Sequence, residues 1–252
     1  MKDWDYENEQ WTRLPPHLKH LPLFTRHKDW TGYVIRACWA LFTFAFFRTW
    51  VRLKVVGNFH DIYKNHPRLL VISNHTSHLD ANVIAGAIPF RYWLDLYIAA
   101  AKDYFFTNPL FTFFSAHCLG AIPIDRKDRT GEAITLCISL LNRLNRIWLI
   151  IFPEGTRSPT GKLQDFKRGV SVFSERTNTP ILFLYIEGNA ELWPKGRLFT
   201  KMGAVTLYVG PVHPPAQIRP INDAYRAWVK TINPAILPEF DSPQKSADKE
   251  LV

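Results

Sequence analysis

The 252-residue sequence predicts an α/β domain with a mostly parallel central sheet. Three observations carry that prediction. Short apolar runs recur at 69–73, 96–101, 147–152 and 180–186, and each reads as a strand buried on both faces. Stretches with helical spacing separate them, which is the alternation that builds βαβ units. Polar turns rich in Gly and Pro follow the runs, where strands of such a sheet hand over to helices.

Composition agrees. A hydrophobic content of 47% is ample for one large core. Three parts are expected: an N-terminal segment (1–49), a main domain (50–240) and a polar, disordered tail (241–252). Residues 1–29 are polar and Pro-containing, unlike a cleavable signal peptide. Their His17, His20 and His27 have no carboxylate or Cys pattern that would suggest a metal site.

From residue 30 to 53 the chain turns apolar, with an uninterrupted core only at 37–47 between Arg36 and Arg48. A spanning helix needs about 20 apolar residues. The segment is therefore expected to lie in a membrane interface or half-embedded, with Trp30, Tyr33, Trp39 and Trp50 at headgroup level and the arginines snorkelling. A true span and a buried soluble helix are the alternatives.

Residues 50–57 alternate and end at Gly57, as a half-buried strand does. Strand 69–73 runs into Asn74-His75-Thr76-Ser77-His78-Leu79-Asp80 and then a helix over 81–88, for which Thr76 or Ser77 is the expected cap. After strand 96–101, Pro109 opens a Phe-rich helix. Core packing is its expected role, ahead of an acyl site or membrane contact. A strand at 119–126 ends in a charged tip. Helix 130–144 places Ile134, Cys137, Ile138, Leu141 and Leu144 on one side. Helix 167–176, an alternating, edge-proximal strand at 204–210 and a short helix at 224–232 complete the domain.

The net charge of +9 suits a nucleic acid, an anionic bilayer or a phosphorylated substrate. No nucleic-acid motif accompanies it, so nucleic acid is set aside as a partner. Cys38, Cys118 and Cys137 form no CxxC pair; they read as reduced, packed thiols of a cytoplasm-facing protein.

In such a sheet the loops after strand C-termini gather at one edge, and ligands bind there. Three loops qualify. The first carries His75 and Asp80, the pairing of a general base with a carboxylate that fixes its tautomer. The second ends in Asp125-Arg126. The third is Pro153-Glu154-Gly155-Thr156-Arg157-Ser158, with Lys167, Arg168 and Gly169 beyond it. A base beside cations and glycines suits a hydroxyl nucleophile attached to an anionic group. Ser77 reads as a cap or structural hydroxyl, and nothing in the motif gives His78 a role.

Asn74-His75-x-Ser77-x-x-Asp80, Gly120-x-Ile122-x-Ile124-x-Arg126, Phe152–Ser158 and Pro180-Ile181 together resemble the four ordered blocks of the glycerolipid acyltransferase family. The likeness covers roughly residues 50–215. It implies a mixed α/β fold and transfer of an acyl group from acyl-CoA or acyl carrier protein to a lysophospholipid hydroxyl. Lysophosphatidic acid is the leading acceptor, and glycerol 3-phosphate or another lysophospholipid the runner-up. By this likeness His75 is the base and Asp80 its orienting partner. Arg126, Glu154, Gly155, Thr156, Arg157 and Lys167 bind the acceptor and its phosphate. Asn74, Ser77, Gly120 and Pro180 support the site, and no metal or other cofactor is involved. The implied place is the cytoplasmic face of a membrane, with oligomeric state left open. Two other classes compete: a thioesterase-like hydrolase using water as acceptor, and a non-catalytic peripheral membrane protein.

Overall fold

A computed structural model describes residues 30–124, 132–193 and 199–238. Among the described residues, seven strands form one sheet: β1 (Val51–Val56), β2 (Arg68–Ser73), β3 (Leu96–Ala101), β4 (Ala121–Ile124), β5 (Ile147–Ile151), β6 (Ile181–Glu187) and β7 (Gly203–His213), in the order β1-β7-β6-β2-β5-β3-β4. Every neighbouring pair is parallel except β6 and β7. The sheet is thus mixed and mostly parallel, and the C-termini of β6, β2, β5 and β3 lie side by side.

Helices cover both faces: α1 (Trp30–Thr49), α2 (His60–Asn65), α3 (Asp80–Ala87), α4 (Lys102–Phe105), α5 (Pro109–Leu119), α6 (Glu132–Arg143), α7 (Gly169–Thr177) and α8 (Ile218–Ile232). Period-2 geometry explains why β2 is apolar throughout. Leu70 and Ile72 face a core shared with Cys137, Leu141, Val170 and Tyr225 of α6, α7 and α8. Leu69 and Val71 face the opposite core, with Val83 and Ile84 of α3 and Phe47 of α1. Each such Leu or Ile stabilises the fold by about 1.5–3 kcal/mol.

Several elements differ from the sequence reading. Helix α8 begins at Ile218, earlier than residue 224. Pro220 is accommodated because first-turn N–H groups need no helical partner, and Ile221, Tyr225 and Val229 then bury at a four-residue spacing. Strand β1 buries little beyond Val51, because it is an edge strand paired only with β7. No serine or threonine caps α3: Leu79 holds the cap position, and Asp80 instead reaches back to the amides of Thr76 and Ser77. The Phe-rich helix α5 is not simply core, since Phe113 and Phe114 are exposed. Of the cysteines, Cys118 and Cys137 are buried, whereas Cys38 is exposed. The tail 241–252 lies outside the described residues.

Helix α1 packs against α3, α5 and β1, and Trp39 meets the Phe114 ring of α5 edge-on. Its outer side carries exposed Leu41, Phe42 and Phe44. Among the described residues, no helix is long and apolar enough to cross a membrane.

Candidate active site

Three adjacent strands, β6, β2 and β5, end at one edge of the sheet, and their loops interlock there. Where β2 gives out, the Asn74 side chain continues its ladder. The Asn74 amide donates to the Ile186 carbonyl at 2.9 Å and accepts the Ile186 N–H at 2.8 Å. From below, the buried Tyr225 hydroxyl accepts the Asn74 N–H at 3.0 Å and donates to the Leu184 carbonyl at 2.7 Å. Asn74 therefore fixes the point at which the chain leaves the sheet.

His75 comes next. Its ring stacks on Phe152, with centroids 4.2 Å apart, and its Nδ1 lies 2.7 Å from Asp80 Oδ2. The same oxygen accepts the N–H groups of Thr76 at 2.8 Å and Ser77 at 3.1 Å. Asp80 Oδ1 accepts from the Asn189 side-chain amide, whose own oxygen accepts from the Thr76 hydroxyl at 3.0 Å. Asp80 is fully buried, and these four donors satisfy its carboxylate. With Asp80 as acceptor, the His75 proton belongs on Nδ1, and the Nε2 lone pair is available to take a proton. The His75 side chain keeps 22% exposure, so the ring is only partly buried.

The loop after β5 clamps this turn from the other side. Glu154 Oε1 accepts the His75 N–H at 2.9 Å, and the Ser158 N–H donates to the His75 carbonyl at 2.7 Å. Gln164 donates to Glu154 Oε2 and to the Thr156 carbonyl, at 3.1 and 3.3 Å. Burial pushes the Glu154 carboxyl up to about 7; its N–H donors pull the other way, and the nearby Asp80 charge adds to the rise. Gly155 sits at φ +74°, where a Cβ would meet the Lys167 side chain at 2.8 Å. Gly155 thus provides both the turn and the surface over which Lys167 lies.

Arg157 closes the cluster. Its guanidinium donates to His78 Nε2 and stands 5.8 Å from the centre of the Tyr104 ring. Burial lowers the His78 pKa, and the charge of Arg157 and the nearness of His75 lower it further. Trp193 forms the wall behind His78, with ring centroids 5.2 Å apart.

The structure therefore brings His75, Asp80, Asn74, Ser77, Glu154, Gly155, Thr156, Arg157 and Lys167 to one edge of the sheet. Ser77 acts through structure: its hydroxyl donates to the Trp193 carbonyl at 3.0 Å and accepts the Leu79 N–H at 3.2 Å. Two supporting positions lie elsewhere. Pro180 precedes β6 and accepts the Leu70 N–H, four residues before Asn74. At about 3.3 Å per residue, that is roughly 13 Å down the sheet from the loops. Gly120 precedes β4 at the same far end; its φ of +62° and the Leu96 carbonyl 2.6 Å from a would-be Cβ explain the glycine. Both positions shape the sheet entry rather than the site. Arg126 lies outside the described residues; β4 ends at Ile124, on the site edge.

Asn189, Gln164 and Tyr104 escaped the sequence reading. Asn189 had a usable signal: Gly188-Asn189 follows apolar strand 181–187, so it is one more polar loop at a strand C-terminus. Among the described residues, no cluster of His, Cys, Asp and Glu is placed to hold a metal ion.

A family model described as Acyltransferase matches residues 54–187. The mouse 1-acyl-sn-glycerol-3-phosphate acyltransferase alpha is 30% identical over 64% of this chain and 54% of its own length. The Limnanthes douglasii 1-acyl-sn-glycerol-3-phosphate acyltransferase is 27% identical over 65% of this chain and 55% of its own. This chain thus spans about half the length of these curated relatives. Among solved structures, the crystal structure of the 1-acyl-sn-glycerophosphate acyltransferase PlsC from Thermotoga maritima superposes with a TM-score of 0.60 at 24% identity. It covers 82% of this chain and 81% of that one, and so shares the fold. The matched span runs from within β1 to the end of β6 and takes in both the His75–Asp80 turn and the Glu154–Arg157 loop: this chain belongs to the glycerolipid acyltransferase family.

Proposed function

We propose that this protein transfers an acyl group from a thioester, acyl-CoA or acyl carrier protein, to the free hydroxyl of 1-acylglycerol 3-phosphate, giving phosphatidic acid. The observation that carries the reading is the buried Asp80 carboxylate bonded to Nδ1 of a partly open His75, one loop away from Arg157. The names of the relatives support the acceptor.

The geometry supports the following steps. His75 Nε2 accepts the acceptor hydroxyl proton while Nδ1–H stays on Asp80, which stabilises the imidazolium as it forms. The hydroxyl oxygen attacks the thioester carbonyl carbon. The tetrahedral intermediate collapses, the C–S bond breaks, and the thiolate leaves with the proton that His75 took. One ester forms for each thioester lost, and no acyl-enzyme is required. Arg157 pairs with the acceptor phosphate, Lys167 adds a point charge beside Gly155, and Glu154 keeps the His75 backbone in place.

The substrate is met at a membrane. Exposed Leu41, Phe42 and Phe44 of α1 continue into Phe113 and Phe114 of α5, an apolar surface that suits the headgroup boundary. Purified protein given each donor with lysophosphatidate, glycerol 3-phosphate or lysophosphatidylcholine, and read by mass spectrometry, tests the reading. Phosphatidate is the expected product; free fatty acid alone would replace transfer by hydrolysis, and no turnover of any thioester would refute catalysis.

A further inference from the structure

His78 stands inside the motif, but its ring bonds to Arg157 rather than to the His75–Asp80 pair. Its surroundings give it a different task. Its Nε2 accepts from the Arg157 guanidinium, which leaves the ring proton on Nδ1, 3.4 Å from the Tyr104 hydroxyl. Its backbone N–H is held by the Trp193 carbonyl at 3.3 Å. The groups facing it are Arg157 from the loop after β5, Tyr104 from α4, Trp193 from the loop after β6, and His75 and Asp80 from its own turn.

We propose that His78 is an acceptor-binding and specificity-determining residue: with Arg157 it forms a clamp that closes on a dianionic phosphate monoester, taking up one proton from solvent as it does so. This rests on the acyltransferase reading given above. In this arrangement a neutral imidazole holds the guanidinium, because two adjacent cations would repel. A phosphate monoester reverses the balance. Its two charges draw Arg157 off Nε2 and favour the protonated imidazole, so both side chains become donors to the phosphate oxygens. A phosphodiester carries one charge and a further substituent. It offers too little charge to protonate His78, and the rings of Trp193 and Tyr104, 5.2 and 6.1 Å from that of His78, leave its substituent little room. The clamp thereby selects lysophosphatidate over lysolipids with a bridged headgroup.

The direct test is NMR titration of ring-labelled histidine in the full chain, with the His78 signal assigned by its loss in His78→Gln or His78→Asn. Glycerol 3-phosphate is the monoester probe and glycerophosphoethanolamine the diester. The monoester should raise the His78 pKa by about one unit or more, a tenfold coupling between proton and ligand, and the diester should leave it in place. In transfer assays near neutral pH, His78→Gln should raise KM for lysophosphatidate about tenfold while kcat falls far less. A His78 titration that the monoester does not move overturns the clamp, even if phosphatidate is formed. If wild type makes no ester but the monoester still moves His78, the phosphate clamp stands and the acyl-transfer reading falls.

Discussion

Asp80 Oδ2 lies 2.7 Å from His75 Nδ1 and also accepts the Thr76 and Ser77 amides, so one carboxylate oxygen both orients the His75 ring and ties the turn that carries it. That double duty explains why the pair needs five-residue spacing. The chain must fold back within one turn to let Asp80, first residue of α3, see its own preceding amides.

Asp80→Asn keeps an oxygen for the two amides but removes the charge that stabilises the imidazolium. Its NH2 group would also face the donor amide of Asn189. Steady-state kinetics should show kcat reduced by about 100-fold or more, with KM for both substrates nearly unchanged.

Asn189→Ala removes the donor to Asp80 Oδ1 and the acceptor of the Thr76 hydroxyl. Urea unfolding should show a loss of about 1–3 kcal/mol. A fall in kcat of about tenfold, with KM held, would mark Asn189 as a positioning residue for Asp80. Loss of stability with unchanged kcat would make it structural only.

Glu154 makes stability pH-dependent. Its folded pKa is about 7, against an ordinary value of 4.5. The native state therefore holds a proton that the unfolded chain releases as pH rises. The contribution is full below pH 4.5 and is lost as pH climbs to 7. It amounts to about 3 kcal/mol at most. Unfolding at pH 5 and pH 8 should show wild type losing more stability than Glu154→Gln across that interval; parallel losses would contradict it. The same substitution places an NH2 group against donors from His75 or Gln164, and transfer should drop about tenfold or more.

Tyr225→Phe leaves the Asn74 N–H and the Leu184 carbonyl without their buried partner. It should cost about 1–3 kcal/mol in thermal or chemical unfolding. The point where β2 releases the His75 turn should then exchange amide hydrogens faster than in wild type.

Much of this was legible in the sequence because periodicity is a local property. The runs at 69–73, 96–101 and 147–152 became β2, β3 and β5, since strands buried on both faces must be continuously apolar. The rule that loops gather at strand C-termini placed His75, Asp80, Glu154 and Arg157 correctly as neighbours. What stayed hidden depends on contacts between distant segments. Nothing near Asn189 or Gln164 in the chain shows that they bond Asp80 and Glu154. Block order drew Gly120 and Pro180 toward the site, although strand direction sends both to the far end of the sheet. The pairing of α1 with α5, and the exposed aromatic surface it creates, likewise follows from packing that no single window contains.

In the proposed reaction His75 takes the proton from the acceptor hydroxyl. The most direct measurement is single-turnover acyl transfer from a labelled thioester to lysophosphatidate by wild type and His75→Ala, with folding of both checked by circular dichroism. Wild type should form phosphatidate, and the folded variant should lose at least about 100-fold in transfer rate. Phosphatidate formed by folded His75→Ala at the wild-type rate would contradict it.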